Sequence, residues 1–435
     1  MKKKNGKFGQ AWIVDVNMGY GHQRTAYPLK HLAFGGEIIN ANNYKGILEK
    51  DRKDWENNRR GYEFISRFKK IPFIGEAAFS IFNEFQKIQS FYPKRDLSKP
   101  SLALKYEISL IKKGWGRHLI KKLKERRLPL VTTFFIPAFM AEIFKYPGKI
   151  YCVICDADIA RPWVSLDPKK SKIQYFAPNS RVVERLKLYG VKEKNIFLTG
   201  YPLPLENIGN KQSDILKDDL RHRILNLDPK KKYLKKYRVL VKEYLGDLPK
   251  SPDHPLTLMF AVGGAGAQKE IGIKAVRSLA KKIKDGKIKV ILVAGIKEKV
   301  KEYFIKNIKK LGLEKYLDKN IEVLFTDTIE DYFKEFNLKL RKTDILWTKP
   351  SELSFYSGLG LPIIIAPTIG YQEDFNKKWI IKLGSGIVQE NPNYTTEWLF
   401  DFLNSGRLAK AAMGGFIEGE KYGTLEIEKI ISKKL

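Results

Sequence analysis

Residues 256–272 read LTLMFAVGGAGAQKEIG. An apolar run of strand length stops at Gly263, Gly264 and Gly266, and a helix-like pattern begins after them. A glycine-rich bend of this kind presents backbone N–H groups at the start of a helix, where partial positive charge gathers. Residues 11–26, AWIVDVNMGYGHQRTA, repeat the arrangement with Gly19, Gly21 and His22 at the bend. One such turn says little. Two, each heading its own half of the chain, predict two similar α/β domains facing each other across a cleft.

The surrounding sequence carries the same rhythm. GEIINA, PLVTTFF, KIYCVICD, KIQYFAP and NIFLTGYP read as strands in the first half, with helices expected at 102–126 and 180–189. LTLMFAV, KVILVAG, IEVLFT, DILWTK and LPIIIAP read as strands in the second, with helices at 267–285, 297–312 and 371–384. Alternating strands and helices predict parallel sheets covered on both faces. Between the halves, residues 206–255 are charged and punctuated by proline, and read as a helical linker. The expected divisions are 1–205 for a first domain, 256–405 for a second, and a C-terminal helix over 406–435 that returns to the first.

The chain has 435 residues, too many for one ordinary core. Its 81 Lys and Arg against 48 Asp and Glu leave a net charge of +33. Nucleic acid, an anionic membrane surface or a phosphorylated substrate would each suit that excess. The lysines are spread along the whole chain, and no basic block interleaved with aromatics resembles a nucleic-acid module. Cys152 and Cys155 form a C-x-x-C, but no second pair accompanies them and they lie in an apolar run. They read as structural thiols of a reducing cytoplasm. No stretch reaches the ~20 apolar residues that span a bilayer. The aromatic, apolar segment 71–92, flanked by Lys69, Lys70, Lys94 and Arg95, either lies on a membrane surface or packs on the first domain.

Chemistry-bearing residues gather where strands end. Gly19 and Gly21 let the chain bend and a substrate approach, and His22 either accepts a proton from a hydroxyl or caps its helix. Asp156 and Asp158 follow the strand IYCVIC, and Trp163 comes soon after. Either carboxylate could orient His22, act as base, or cap a turn. In the second half, Gly263–Gly266 lacks the Lys-Ser/Thr of a P-loop but suits a diphosphate held by backbone N–H groups. Lys349 can meet a phosphate, Glu352 a ribose, and Gln372, Glu373 and Asn376 the hydroxyls of a sugar. No D-x-D-type motif lies in that half, so no metal is expected. No cofactor is expected beyond the donor substrate.

These residues resemble those of the two-domain (GT-B) glycosyltransferases, in the branch that holds the lipid II-forming N-acetylglucosaminyltransferase and the monogalactosyl- and glucosyl-diacylglycerol synthases. The resemblance spans roughly 10–205 and 255–400. Gly19-Tyr20-Gly21-His22 is similar to that family's acceptor-side turn, and Cys155-Asp156 to its strand ending before an acceptor-side loop. YFAPNSRVVERLKLYGVKEKNIFLTGYPLP resembles its strand–helix–strand entry to the linker. GGAGAQ resembles its donor turn, and TKPSEL, GLGLPIIIAP and YQEDFN the stretch that grips the nucleotide sugar. The resemblance implies transfer of a sugar from a UDP-sugar to an acceptor hydroxyl, such as that of a lipid, with inversion and without metal, in the cytoplasm or at the inner face of the cell membrane. His22 and Asp156 would be catalytic. Gly263, Gly264, Gly266, Lys349, Glu352, Gln372, Glu373 and Asn376 would bind the donor, with the base near the strand end Phe325–Ile329. Gly19, Gly21, Asp158 and Trp163 would line the acceptor side. Two other readings stand beside it: a nucleotide-sugar epimerase on the same fold, and a non-catalytic binder of anionic lipid or nucleic acid.

Overall fold

The structure, a computed structural model, describes residues 10–68, 88–261, 263, 266–368 and 371–432. Most of segment 71–92, and Gly264, lie outside them. The described chain is α/β and divides into two compact units. The first comprises 1–202, 369–376 and 422–435, and the second 203–368 and 377–421.

The first unit carries one parallel sheet of six strands: β1 (Trp12–Asp15), β2 (Ile39–Asn40), β3 (Leu130–Thr132), β4 (Ile150–Val153), β5 (Ile173–Ala177) and β6 (Ile196–Leu198). Their order is β2-β1-β3-β4-β5-β6. The second carries β7 (Thr257–Ala261), β8 (Lys289–Gly295), β9 (Ile321–Phe325), β10 (Ile345–Thr348), β11 (Ile363–Ile365) and β12 (Gly386–Val388). This sheet is also wholly parallel, ordered β12-β11-β10-β7-β8-β9. Parallel strands need crossover helices, which cover both faces of the sheet. Central strands therefore read as mainly apolar runs, and every residue of β1, β4, β7 and β10 is buried.

Each sheet reverses its order once. In the first, β1 lies between β2 and β3, so the chain leaves the ends of β1 and β3 in opposite directions. In the second the same divergence falls between β7 and β10. Ligands of open α/β sheets bind beyond the carboxyl ends of strands at such a point. The two sheets are not copies, because the first begins 2-1-3 and the second has the 3-2-1-4-5-6 order when its strands are counted from β7.

The C-terminal helix Gly423–Ser432 belongs to the first unit. Ile427 and Ile431 are buried in the core formed by Ala11, Ile13, Leu29, Val131 and Phe176. A Cβ on Gly423 would lie 2.3 Å from the Tyr201 backbone, so that approach needs glycine. The preceding helix, Arg407–Glu418, belongs to the second unit, so the expected element 406–435 is divided.

The stretch expected to link the domains is built into the second unit. Its helix Asp214–Leu227 carries the fully buried Arg223. That guanidinium donates from Nε to the Thr343 carbonyl (2.7 Å), from Nη1 to Leu359 (2.7 Å) and from Nη2 to Leu340 (3.2 Å). The expected helix 102–126 is two helices, Leu102–Lys112 and Arg117–Leu123. Gly114 and Gly116 break it at φ +113° and +80°, and a Cβ on Gly116 would collide with the Met140 side chain.

Candidate functional site

Two constellations form, one at each switch point. In the first unit, Gly19 has φ +105° with open space where a side chain would stand, so backbone conformation alone demands glycine. Gly21 lies within the short helix Tyr20–Ala26, where its carbonyl accepts from Thr25 Oγ1 at 2.7 Å. One turn in, His22 is half-buried. Its Nδ1 is 2.7 Å from the Thr133 carbonyl just past β3 and 3.5 Å from Cys155 Sγ just past β4. The ring stands edge-on to Phe134, with centroids 4.7 Å apart. Trp163 is buried and packs on Phe135 at 5.3 Å, with its ring 6.3 Å from that of His22. Trp163 thus belongs to the aromatic wall behind the imidazole.

The two aspartates after β4 separate. Asp156 is half-buried, and its Oδ1 accepts from Asn376 Nδ2 at 3.3 Å. The Asn376 Oδ1 accepts in turn from the Ala157 N–H at 2.8 Å. Asn376, expected among the donor-binding residues, therefore fastens the first unit's segment 369–376 to the loop after β4. Asp158 does not serve as an acceptor-side group. Its carboxylate is buried and meets Arg185 at 2.8 and 2.9 Å, Arg181 at 3.0 Å and the Ile159 N–H at 3.0 Å. A buried charge needs such pairing to be tolerated. Phe91 packs beneath these cations, with the Arg181 guanidinium 3.6 Å from its ring centre.

Asp15 is the last residue of β1. It is buried, and burial pushes its carboxyl up to about 7 against the pull of an Asn40 Nδ2 hydrogen bond at 2.8 Å. An acidic residue inside an otherwise apolar strand was the available signal.

In the second unit, the turn after β7 meets the end of β10. Thr348 Oγ1 donates to the Ala261 carbonyl at 3.1 Å and ties the two strand ends together. Lys349 follows at once. A Cβ built on Gly263 would lie 2.5 Å from Lys349 Cε, so the lysine stem lies directly over the glycine. Gly266 has φ +69°, and its N–H closes the turn onto the Gly263 carbonyl at 2.7 Å. Gln268, at φ +67°, precedes the helix Lys269–Lys284 and donates from Nε2 to the Pro367 carbonyl at 2.7 Å. Glu352 starts a 3-10 run, Glu352–Leu359, rather than an α-helix, and is half-buried. Gln372 and Glu373 lie in the first turn of the helix Tyr371–Lys382, Glu373 buried and Gln372 half-buried, but both belong to the first unit, whereas the glycine turn, Lys349 and Glu352 belong to the second. The arrangement in this unit can present N–H groups and an ammonium to an anion.

A sequence profile of a domain of unknown function (DUF6938) matches residues 250–334, which hold β7, the glycine turn, β8 and β9. No curated protein matches the sequence. Solved structures similar to the chain include the S. aureus MnaA–UDP co-structure, at 12% identity and TM-score 0.48, with 96% of this chain and 95% of that one covered. Acinetobacter baumannii MurG is similar at 12% identity and TM-score 0.46, covering 98% and 99%. A glycosyltransferase from Rickettsia africae ESF-5 is similar at 14% identity and TM-score 0.43, covering 99% and 100%.

Proposed function

We propose that the chain is a glycosyltransferase that moves a sugar from a UDP-sugar to an acceptor hydroxyl, with inversion and without a metal ion. The observation that carries this reading is the placement of Lys349 over Gly263 at the switch point of the second sheet. An ammonium beside a glycine turn that opens a helix suits a diphosphate. Gly264 is assigned to the diphosphate by sequence alone, Glu352 to the ribose, and Gln372 and Glu373 to the sugar hydroxyls.

In the reaction, the acceptor oxygen attacks the anomeric carbon as its proton passes to His22 or Asp156. The bond from that carbon to the diphosphate breaks, and its electron pair goes to the diphosphate oxygen. Lys349 and the backbone N–H groups stabilise the departing charge, so a divalent ion is not required. The products are the glycoside and UDP.

We assign the acceptor to a lipid at an anionic surface. Among the described residues no helix is long and apolar enough to cross a membrane. The outer face of Leu102–Lys112 exposes Leu102, Tyr106, Lys105 and Lys112, with Lys113 beyond it and no exposed acidic residue. Apolar side chains among lysines suit reversible docking on anionic headgroups.

The test is a thermal-shift panel of UDP-, GDP- and dTDP-sugars, since a bound ligand raises apparent stability by mass action. Stabilisation by UDP-sugars that disappears in Glu373→Ala is expected. A His22→Ala variant that binds donor but transfers no sugar separates transfer from epimerisation, which would instead change the sugar with no acceptor product. Absence of any shift with all three nucleotides would overturn the reading.

A further inference from the structure

His22 is held from two strands at once, and the holding atoms determine what its ring can do. The Thr133 carbonyl, 2.7 Å from Nδ1, can only accept a hydrogen bond. Nδ1 therefore carries the proton, and in the neutral ring the lone pair sits on Nε2. Cys155 Sγ lies 3.5 Å from the same nitrogen, on the segment that follows β4. Thr133 follows β3, and β3 and β4 are paired neighbours. The two acceptors thus reach Nδ1 from adjacent strand ends, while the Phe134 ring restricts rotation of the imidazole from the side. A sulfur is a weak acceptor, so the carbonyl takes most of the bond and the thiol flanks the same nitrogen.

We propose that Cys155 is a positioning residue: with the Thr133 carbonyl it shares the Nδ1–H of His22, fixes the tautomer, and makes Nε2 the atom that takes the acceptor's proton. This rests on the transfer reading above and chooses between its two candidate bases. Asp156 then holds the Asn376 amide and takes no proton. The assignment also gives the C-x-x-C spacing a meaning. Cys152 lies within β4, where burial raises its thiol pKa, while Cys155 lies just past the strand end and turns to the imidazole.

The experiment uses the full chain with ¹⁵N-labelled histidine. The chain has five histidines, and the His22 signals are identified by their loss in His22→Gln. At a pH where the ring is neutral, Nδ1 is expected in the protonated range and Nε2 in the unprotonated range. In Cys155→Ala both nitrogens should move toward intermediate shifts. The turnover number should fall by roughly tenfold, part of the 10²–10⁴ that a general base contributes, with the donor KM unchanged. Cys155→Ser should restore both. A protonated Nε2 in the unmodified protein would overturn the proposal, as would unchanged shifts in Cys155→Ala. The spectra need no turnover, so the expected tautomer in a protein that transfers nothing would remove the transferase reading and leave the positioning of His22 standing.

Discussion

Replacing Gly263 by alanine should weaken nucleotide binding without unfolding the protein, and the size of the effect follows from one distance. The new Cβ would lie 2.5 Å from Lys349 Cε, 3.3 Å from Cδ and 3.3 Å from Nζ. Carbon atoms pack at about 3.5–4.0 Å, so the lysine end must retreat by roughly 1 Å. Because the clash meets the far end of a flexible side chain, the stem can swing aside and the fold should lose little. The ammonium, however, leaves its place beside the turn. A hydrogen bond to a charged group is worth about 1.5–3 kcal/mol, which corresponds to roughly 10–150-fold in Kd for UDP. Lys349→Met keeps the stem and removes the charge, and should cost the same. The double variant should cost no more than either single one, since both delete one interaction. Titration calorimetry with UDP on the three variants and the parent checks this. UDP binding in Gly263→Ala within about twofold of the parent, or single effects that multiply in the double variant, would refute the assignment of the turn and the lysine to one phosphate site.

Three further outcomes are expected. Asp15 rises from 3.8 to about 7 on folding, so its contribution to stability is full below about pH 4, declines as pH rises, and is lost above about pH 7. That amounts to ~4 kcal/mol at ~1.4 kcal/mol per pH unit, and Asp15→Asn should flatten the urea midpoint over that window. Arg223→Met leaves the carbonyls of Leu340, Thr343 and Leu359 without their donor, and at about 1–3 kcal/mol for each unsatisfied buried group should destabilise the second unit by at least ~3 kcal/mol in calorimetry. Co-sedimentation with anionic vesicles at low salt should be lost in high salt and in Leu102→Ser combined with Tyr106→Ser. Binding that ignores both changes would exclude the helix Leu102–Lys112 as the contact.

What the sequence showed and hid divides along physical lines. Strands buried on both faces must be continuously apolar, and β7, β8 and β10 were legible for that reason. Lys349 could be joined to the glycine turn because both end strands in the same half. Asp158 could not be read, since an acidic residue after a strand looks alike whether it faces solvent or Arg185. The partner arrives only after β5 has crossed and a helix has begun. Arg223 was hidden for the same reason, its carbonyl acceptors lying more than a hundred residues away along the chain. The break at Gly114 and Gly116 was visible as letters, but the Met140 side chain that fills the space beside Gly116 was not.

The two glycine turns that opened the reading are alike in letters and unlike in cause. Gly19 is required by its backbone, at φ +105° with nothing near the missing side chain. Gly263 has no such φ and is required by space, because Lys349 occupies the volume a Cβ would take. The second turn has the Lys349 side chain built against it. The first has an imidazole held between a carbonyl and a thiol. Under the proposed transfer, the cradle would receive the leaving anion and the oriented imidazole would relieve the nucleophile of its proton. The two turns also sit on sheets of different strand order, so letters that are similar serve different surroundings.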